Sequence, residues 1–163
     1  MIIQGRARGI VIASRTATLL FIIFLVTGCA GVRLISEYDR ETDVAVTSFH
    51  RKIEGFLISL KRNIGKEKAR YEKNTAFYDG IKVDLSAIRV RAAAIPKNEI
   101  TIQQIDLLIE NVDRLEAIHK LGLTCEDIPP LRTAFNEICT AILKLELAKK
   151  RGRHGCPRKM EGS

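Results

Sequence analysis

Val46-Thr47-Ser48-Phe49-His50-Arg51-Lys52-Ile53-Glu54-Gly55-Phe56-Leu57-Ile58-Ser59-Leu60 is the stretch whose reading decides the fold. Its apolar residues Val46, Phe49, Ile53, Phe56 and Leu60 recur at alternating intervals of three and four, and Ile64 extends the series. A helical turn takes about 3.6 residues, so this spacing lays one apolar stripe along one helical face. Upstream, Asp39 to Asp43 supplies polar and acidic residues suited to a helix start. Gly55 interrupts the stripe at a cost of about 1 kcal/mol against alanine. Gly65 fits a helix stop.

Three further stripes follow. Tyr71, Tyr78, Ile81, Leu85, Ile88, Ala92 and Ile95 run again by threes and fours until Pro96. Ala92-Ala93-Ala94 leaves room for a neighbouring helix. Asn98 with Glu99 reads as the N-cap of a third helix carrying Ile102, Ile105, Leu108, Ile109, Val112 and Leu115, closed by Gly122. Thr124-Cys125-Glu126-Asp127 resembles a capping box with Asp127 in the place of the usual Glu or Gln, and Pro129 and Pro130 fit only a first turn. The fourth stripe is Leu131, Phe135, Ile138, Ile142 and Leu145. No stretch alternates at period two. Four amphipathic helices on short links predict an all-α protein, an antiparallel up-down four-helix bundle with coiled-coil-like packing near 20°.

Charge is concentrated at the ends. Of 27 Lys and Arg, three lie before residue 29 and six after Leu147; of 19 Asp and Glu, one lies after Leu147. The intervening stretch therefore balances at eighteen of each. A neutral body argues against nucleic-acid binding, which needs a basic face on the fold itself.

At the N-terminus a basic lead with Arg6, Arg8 and Arg15 precedes the apolar run Leu19-Leu20-Phe21-Ile22-Ile23-Phe24-Leu25-Val26, then Thr27-Gly28-Cys29. Charged lead, short apolar core and small residues are the plan of a secretory signal. The core from Thr16 to Val26 is about half the roughly 20 residues that span a bilayer. Extending it to Ile10 would bury Arg15, at about 2.5–3.5 kcal/mol. Leu25-Val26-Thr27-Gly28-Cys29 resembles the lipobox of a bacterial lipoprotein precursor. The resemblance implies cleavage after Gly28, a diacylglycerol and an N-acyl chain on Cys29, and no other cofactor. Ala30, where an Asp tends to retain such proteins in the inner membrane, implies the outer membrane, facing the periplasm. Tyr38-Asp39, Thr42-Asp43, Phe77-Tyr78 and the run Leu143 to Gly152 are similar to uncharacterised small helical lipoproteins of proteobacteria, a resemblance that carries no activity. The expected organisation is a signal peptide over 1–28, a lipid anchor and tether over 29–38, the bundle over 39–150 and a disordered basic tail over 151–163.

Few residues suggest chemistry. Glu116 and His119 form a Glu-x-x-His pair within the arc of Ile105, Ile109 and Val112, a spacing used in di-iron and di-manganese bundles. Those sites use two such pairs, and His50 has Thr47 where the second Glu would stand. The competing reading places Glu116 and His119 at a bundle end, bonded to neighbours such as Tyr71 or Asn74. Cys125 and Cys139 would meet an oxidising compartment after export. A bridge requires the link to fold back about three turns, to bring the Cα atoms within roughly 7 Å; otherwise Cys139 is a buried thiol. Cys156 has no evident partner. Serine-triad contexts and phosphate-binding glycine loops are absent from the sequence. The basic tail, Lys149, Lys150, Arg151, Arg153, Arg158 and Lys159, could hold anionic lipid or an acidic cell-wall polymer.

The resulting expectation is a lipid-anchored, non-catalytic envelope protein. It acts as a structural or adaptor binding module on an envelope protein or anionic polymer, through a bundle groove or the tail. The alternative is a metal-dependent bundle enzyme centred on Glu116 and His119.

Overall fold

The computed structural model describes residues 35–152. The described chain is four α-helices: α1 Arg40–Asn63, α2 Thr75–Ala93, α3 Glu99–Gly122 and α4 Ile128–Gly152. Two single-turn 3₁₀ segments, Glu67–Ala69 and Tyr71–Lys73, join α1 to α2. No strand occurs among the described residues, and none of their helices is long and apolar enough to cross a membrane.

Each helix packs on two neighbours in the cyclic order α1–α2–α3–α4, which is a four-helix bundle. Cross-links fix the directions. Asp39 meets Arg91 and Lys52 meets Asp84 between α1 and α2. Lys82 meets Asp113 and Arg89 meets Asp106 between α2 and α3. His50 meets Asn136 and Glu54 meets Arg132 between α1 and α4. In each set the numbers rise on one helix as they fall on the other, so these neighbours run in opposite directions.

The stripes read from sequence form the core. Val46, Phe49, Ile53, Phe56 and Leu60 meet Tyr78, Ile81, Leu85, Ile88 and Ala92 from α2. Ile105, Leu108, Val112 and Leu115 close the core from α3, and Leu131, Phe135, Cys139 and Ile142 from α4. Two stripes shift slightly. Tyr71 lies in a 3₁₀ turn before α2, because the helix begins only at Thr75. On α4, Cys139 takes the core position and Ile138 is half-buried beside it.

Helix ends follow local chemistry. The Asp39 carboxylate caps α1 by accepting from the Thr42 N–H at 3.0 Å and its hydroxyl at 2.7 Å. Glu41 and Asp43 at the start and Lys61 and Arg62 at the end suit the helix macrodipole. Gly65 follows α1 at φ 80°, the left-handed conformation that glycine adopts without steric cost. Before α4, the Asp127 carboxylate accepts from the Thr124 N–H and hydroxyl, both at 2.8 Å. Asn98 stands at the N-cap of α3, yet its side chain does not cap that helix. It turns into the bundle instead.

Candidate functional site

Two polar clusters occupy opposite ends of the bundle, and a groove runs between α1 and α2. The first cluster contains Glu116 and His119. His119 is buried, with Nε2 2.6 Å from the Ala69 carbonyl and Nδ1 2.8 Å from the Tyr78 hydroxyl. A carbonyl only accepts, so Nε2 carries the proton; in the neutral ring Nδ1 then accepts from Tyr78. Burial pushes the Tyr78 phenol well above its usual range. Glu116 accepts from the Tyr71 hydroxyl at 2.7 Å and pairs with Lys82 at 2.6 Å and Lys120 at 2.8 Å. Lys120, Lys82 and Tyr71 together lower its carboxyl to about 2. Both side chains are thus committed to separate partners, the Tyr71 bond being one foreseen in the sequence. Among the described residues, no three His, Cys, Asp or Glu side chains are grouped as metal ligands.

The second cluster is a buried ion pair. Continuing the α4 stripe beyond Ile142 by four and then three lands on Glu146 and Lys149, and both are inside. Lys149 Nζ donates to Glu146 Oε1 at 2.5 Å, Asn98 Oδ1 at 2.7 Å and Thr101 Oγ1 at 2.8 Å, using all three ammonium hydrogens. Glu146 Oε2 accepts the Asp39 N–H at 3.1 Å. The Ser36 hydroxyl donates to Asn98 Oδ1 at 2.8 Å, and Asn98 Nδ2 donates to the Ala92 carbonyl at 3.0 Å. Among the described residues no buried side-chain nitrogen or oxygen lacks a partner. Lys149 therefore leaves the set of surface cations assigned to the tail: its charge is spent on Glu146. Lys150 and Arg151 are exposed on the last turn of α4. Arg153, Arg158, Lys159 and the lipidation candidate Cys29 lie outside the described residues.

Of the two states open to Cys139 in the sequence, a bridge to Cys125 or a buried thiol, the structure has the buried thiol. Cys139 is buried in α4 and Cys125 is exposed ahead of that helix, both as free thiols. Cys139 lies eleven residues into a helix that starts at Ile128, about 16 Å along its axis. That exceeds disulfide reach. Burial pushes the Cys139 thiol up to about 12.

The groove was not located by sequence reasoning. A hollow of about 680 Å³ is lined by Lys52, Phe56, Ala76, Phe77, Gly80, Val83 and Asp84 among others. Phe56 and Phe77 stack there with ring centroids 3.7 Å apart. A second hollow of about 290 Å³, lined in part by Ala45, Ser48, Phe49, Ala87 and Arg91, shares Lys52 and Asp84 with the first. The outward face of α2 continues from the groove. Ala76, Gly80, Val83, Ala87, Val90 and Ala94 recur at four and three, opposite the core stripe, and all are exposed. Lys82 and Arg89 are drawn aside to α3 acids, and Asp84 and Arg91 to α1 acids or lysine. Asp79 is the one charge left on that face. The available signal was this second stripe, at the same period as the first but on the other side of the helix.

No protein-family model, curated protein or solved structure matches this chain.

Proposed function

We propose that this protein is a lipid-anchored envelope protein that works by binding, as a non-catalytic structural or adaptor module. The observation that carries the binding role is the α1–α2 groove with the outward face of α2 beside it, on which Asp79 is the single charge. A surface helix in a chain with 28% charged residues ordinarily shows charge to water; here small and apolar side chains occupy those positions. Small residues let another backbone approach closely, and the stacked Phe56–Phe77 pair supplies an apolar floor. An amphipathic segment laid into a groove is a recurring recognition mode. In this reading Cys29 carries the diacylglycerol and N-acyl chains, and the bundle faces the periplasm from the outer membrane. The partner is an envelope protein, with no part for nucleic acid. The metal-enzyme alternative finds no comparable support, since Glu116 and His119 are each held by other groups.

Site-specific photocrosslinking in intact cells tests the groove. A crosslinker at Val83 should give one discrete adduct that Ala87→Arg removes, while a crosslinker at exposed Arg114 on α3 should not give it. The same adducts from both positions would count against the groove.

A further inference from the structure

The outward face of α2 carries both the knobs and the holes of a helix-packing seam. Ala76, Gly80, Val83, Ala87, Val90 and Ala94 recur at four, three, four, three and four, the alternation of a heptad seam. All six are exposed, so no element among the described residues covers them. Val83 and Val90 stand out at 68% and 67% exposure, in one column with Ala76. Gly80, Ala87 and Ala94 form the other column, and the hollows lie beside it. The hollow of about 680 Å³ is bounded by Gly80, with Phe56 and Phe77 among its walls, and the one of about 290 Å³ by Ala87. A Cβ on Gly80 would meet nothing within 4 Å.

An antiparallel second copy matches knobs to holes. A twofold axis at the level of Leu85 sets Val90 level with Gly80 of the other copy, Val83 with Ala87 and Ala76 with Ala94. Each valine then meets a small residue beside a hollow; parallel pairing would set valine on valine and leave the hollows empty. We propose that this face binds a second copy of this chain, with Val90 of each copy entering the hollow beside Gly80 of the other and Val83 the hollow beside Ala87. The inference names the partner of the groove and rests on the binding reading above. Such isologous twofold pairs are the commonest form of oligomer, and small seam residues let helix axes approach toward about 8 Å.

Charge agrees with this axis. Lys52 and Asp84 pair at 2.6 Å and border both hollows. Asp84 is one position from Leu85, so the pairs of the two copies meet at the axis as two ammonium and two carboxylate groups of alternating sign. Lys82 and Arg89 are turned away to Asp113 and Asp106 on α3, and Asp79 stays at the rim on that side. Alone, α2 is 19 residues long, a strip about 28 Å by 10 Å. Including the α1 rim of the groove at Ser48 and Lys52 about doubles it, to roughly 600 Å² in projection. That lies just under the roughly 800 Å² per partner of a stable interface, so the pair is a small, dissociable dimer.

The test uses the full chain in intact cells, co-expressed with two different epitope tags. A photocrosslinker at Asp79 should give a two-chain adduct carrying both tags, joined from position 79 to a residue between Arg89 and Ile95 of the other copy. Gly80→Val, which blocks the hole while favouring helix, should cut that adduct at least about fivefold with helix content intact. Adding Val90→Gly should restore at least about half of it, because the same contact is rebuilt with its sides exchanged. A two-chain adduct joined from 79 to 79, or no recovery in the double variant with helix content intact, overturns the dimer. A crosslink from Val83 to a different protein overturns this proposal alone and leaves the binding groove. No adduct from either position overturns both.

Discussion

Glu146 and Lys149 show how one residue pair can serve position more than stability. Desolvating two charges costs several kcal/mol, which their attraction offsets only when every remaining polar atom is bonded. Here Asn98, Thr101 and the Asp39 N–H complete the set. Lys149→Ala should therefore lower stability by about 3–5 kcal/mol, whereas the double replacement Glu146→Met/Lys149→Met should fall within about 1 kcal/mol of the parent or above it. Urea unfolding of the three proteins decides; equal losses in single and double variants would mean the pair is no unit. Glu116 makes a pH-dependent contribution. Its carboxyl is lowered from 4.5 to about 2, so its stabilisation is complete above about pH 4.5 and is lost as pH falls through the folded value. Glu116→Gln should be less stable than the parent at pH 6, and the gap should close by about pH 2. A gap independent of pH would refute the ion-pair account. The burial of Glu146 and Lys149 was legible only by trusting the heptad count over residue type, since charged residues are rarely placed inside.

Among the elements, α1 and α2 differ in what sequence reveals. All but the last apolar residue of the α1 stripe became core, because a single stripe on an otherwise polar helix has one way to face. In α2 two stripes compete, and the buried one is the one with the larger side chains, Tyr78, Ile81, Leu85 and Ile88. The start of α2 was less legible: the 3₁₀ turns before Thr75 are held by contacts such as Ala69 to His119 and Tyr71 to Glu116, which local spacing does not encode. Gly55 is solvent-exposed in the middle of α1, and a Cβ there would meet nothing within 4 Å. Gly55→Ala should stabilise by about 0.5–1 kcal/mol, read as a raised urea midpoint; no gain would mean that Gly55 has a packing role. Cys139, buried with its thiol pushed up to about 12, should resist alkylation in the folded protein at pH 8 while exposed Cys125 reacts. Equal labelling of the two would place Cys139 outside the core.

Over residues 35–152 the molecule is a bundle with a buried ion-pair cluster at one end, a groove along one side and a polar aromatic cluster at the other end. The four-helix architecture followed from four stripes and short links. The groove did not, because it depends on where Lys52, Asp84, Lys82 and Arg89 send their charges in space. The claim on which compartment and partner search both depend is the lipid on Cys29. It is tested most directly by the mass of the mature N-terminus from membrane fractions, beside a Cys29→Ser variant. The account predicts a chain that begins at Cys29 with a diacylglycerol and an N-acyl chain, and an unprocessed, unacylated variant. An intact Met1 with a free thiol at Cys29 would contradict it.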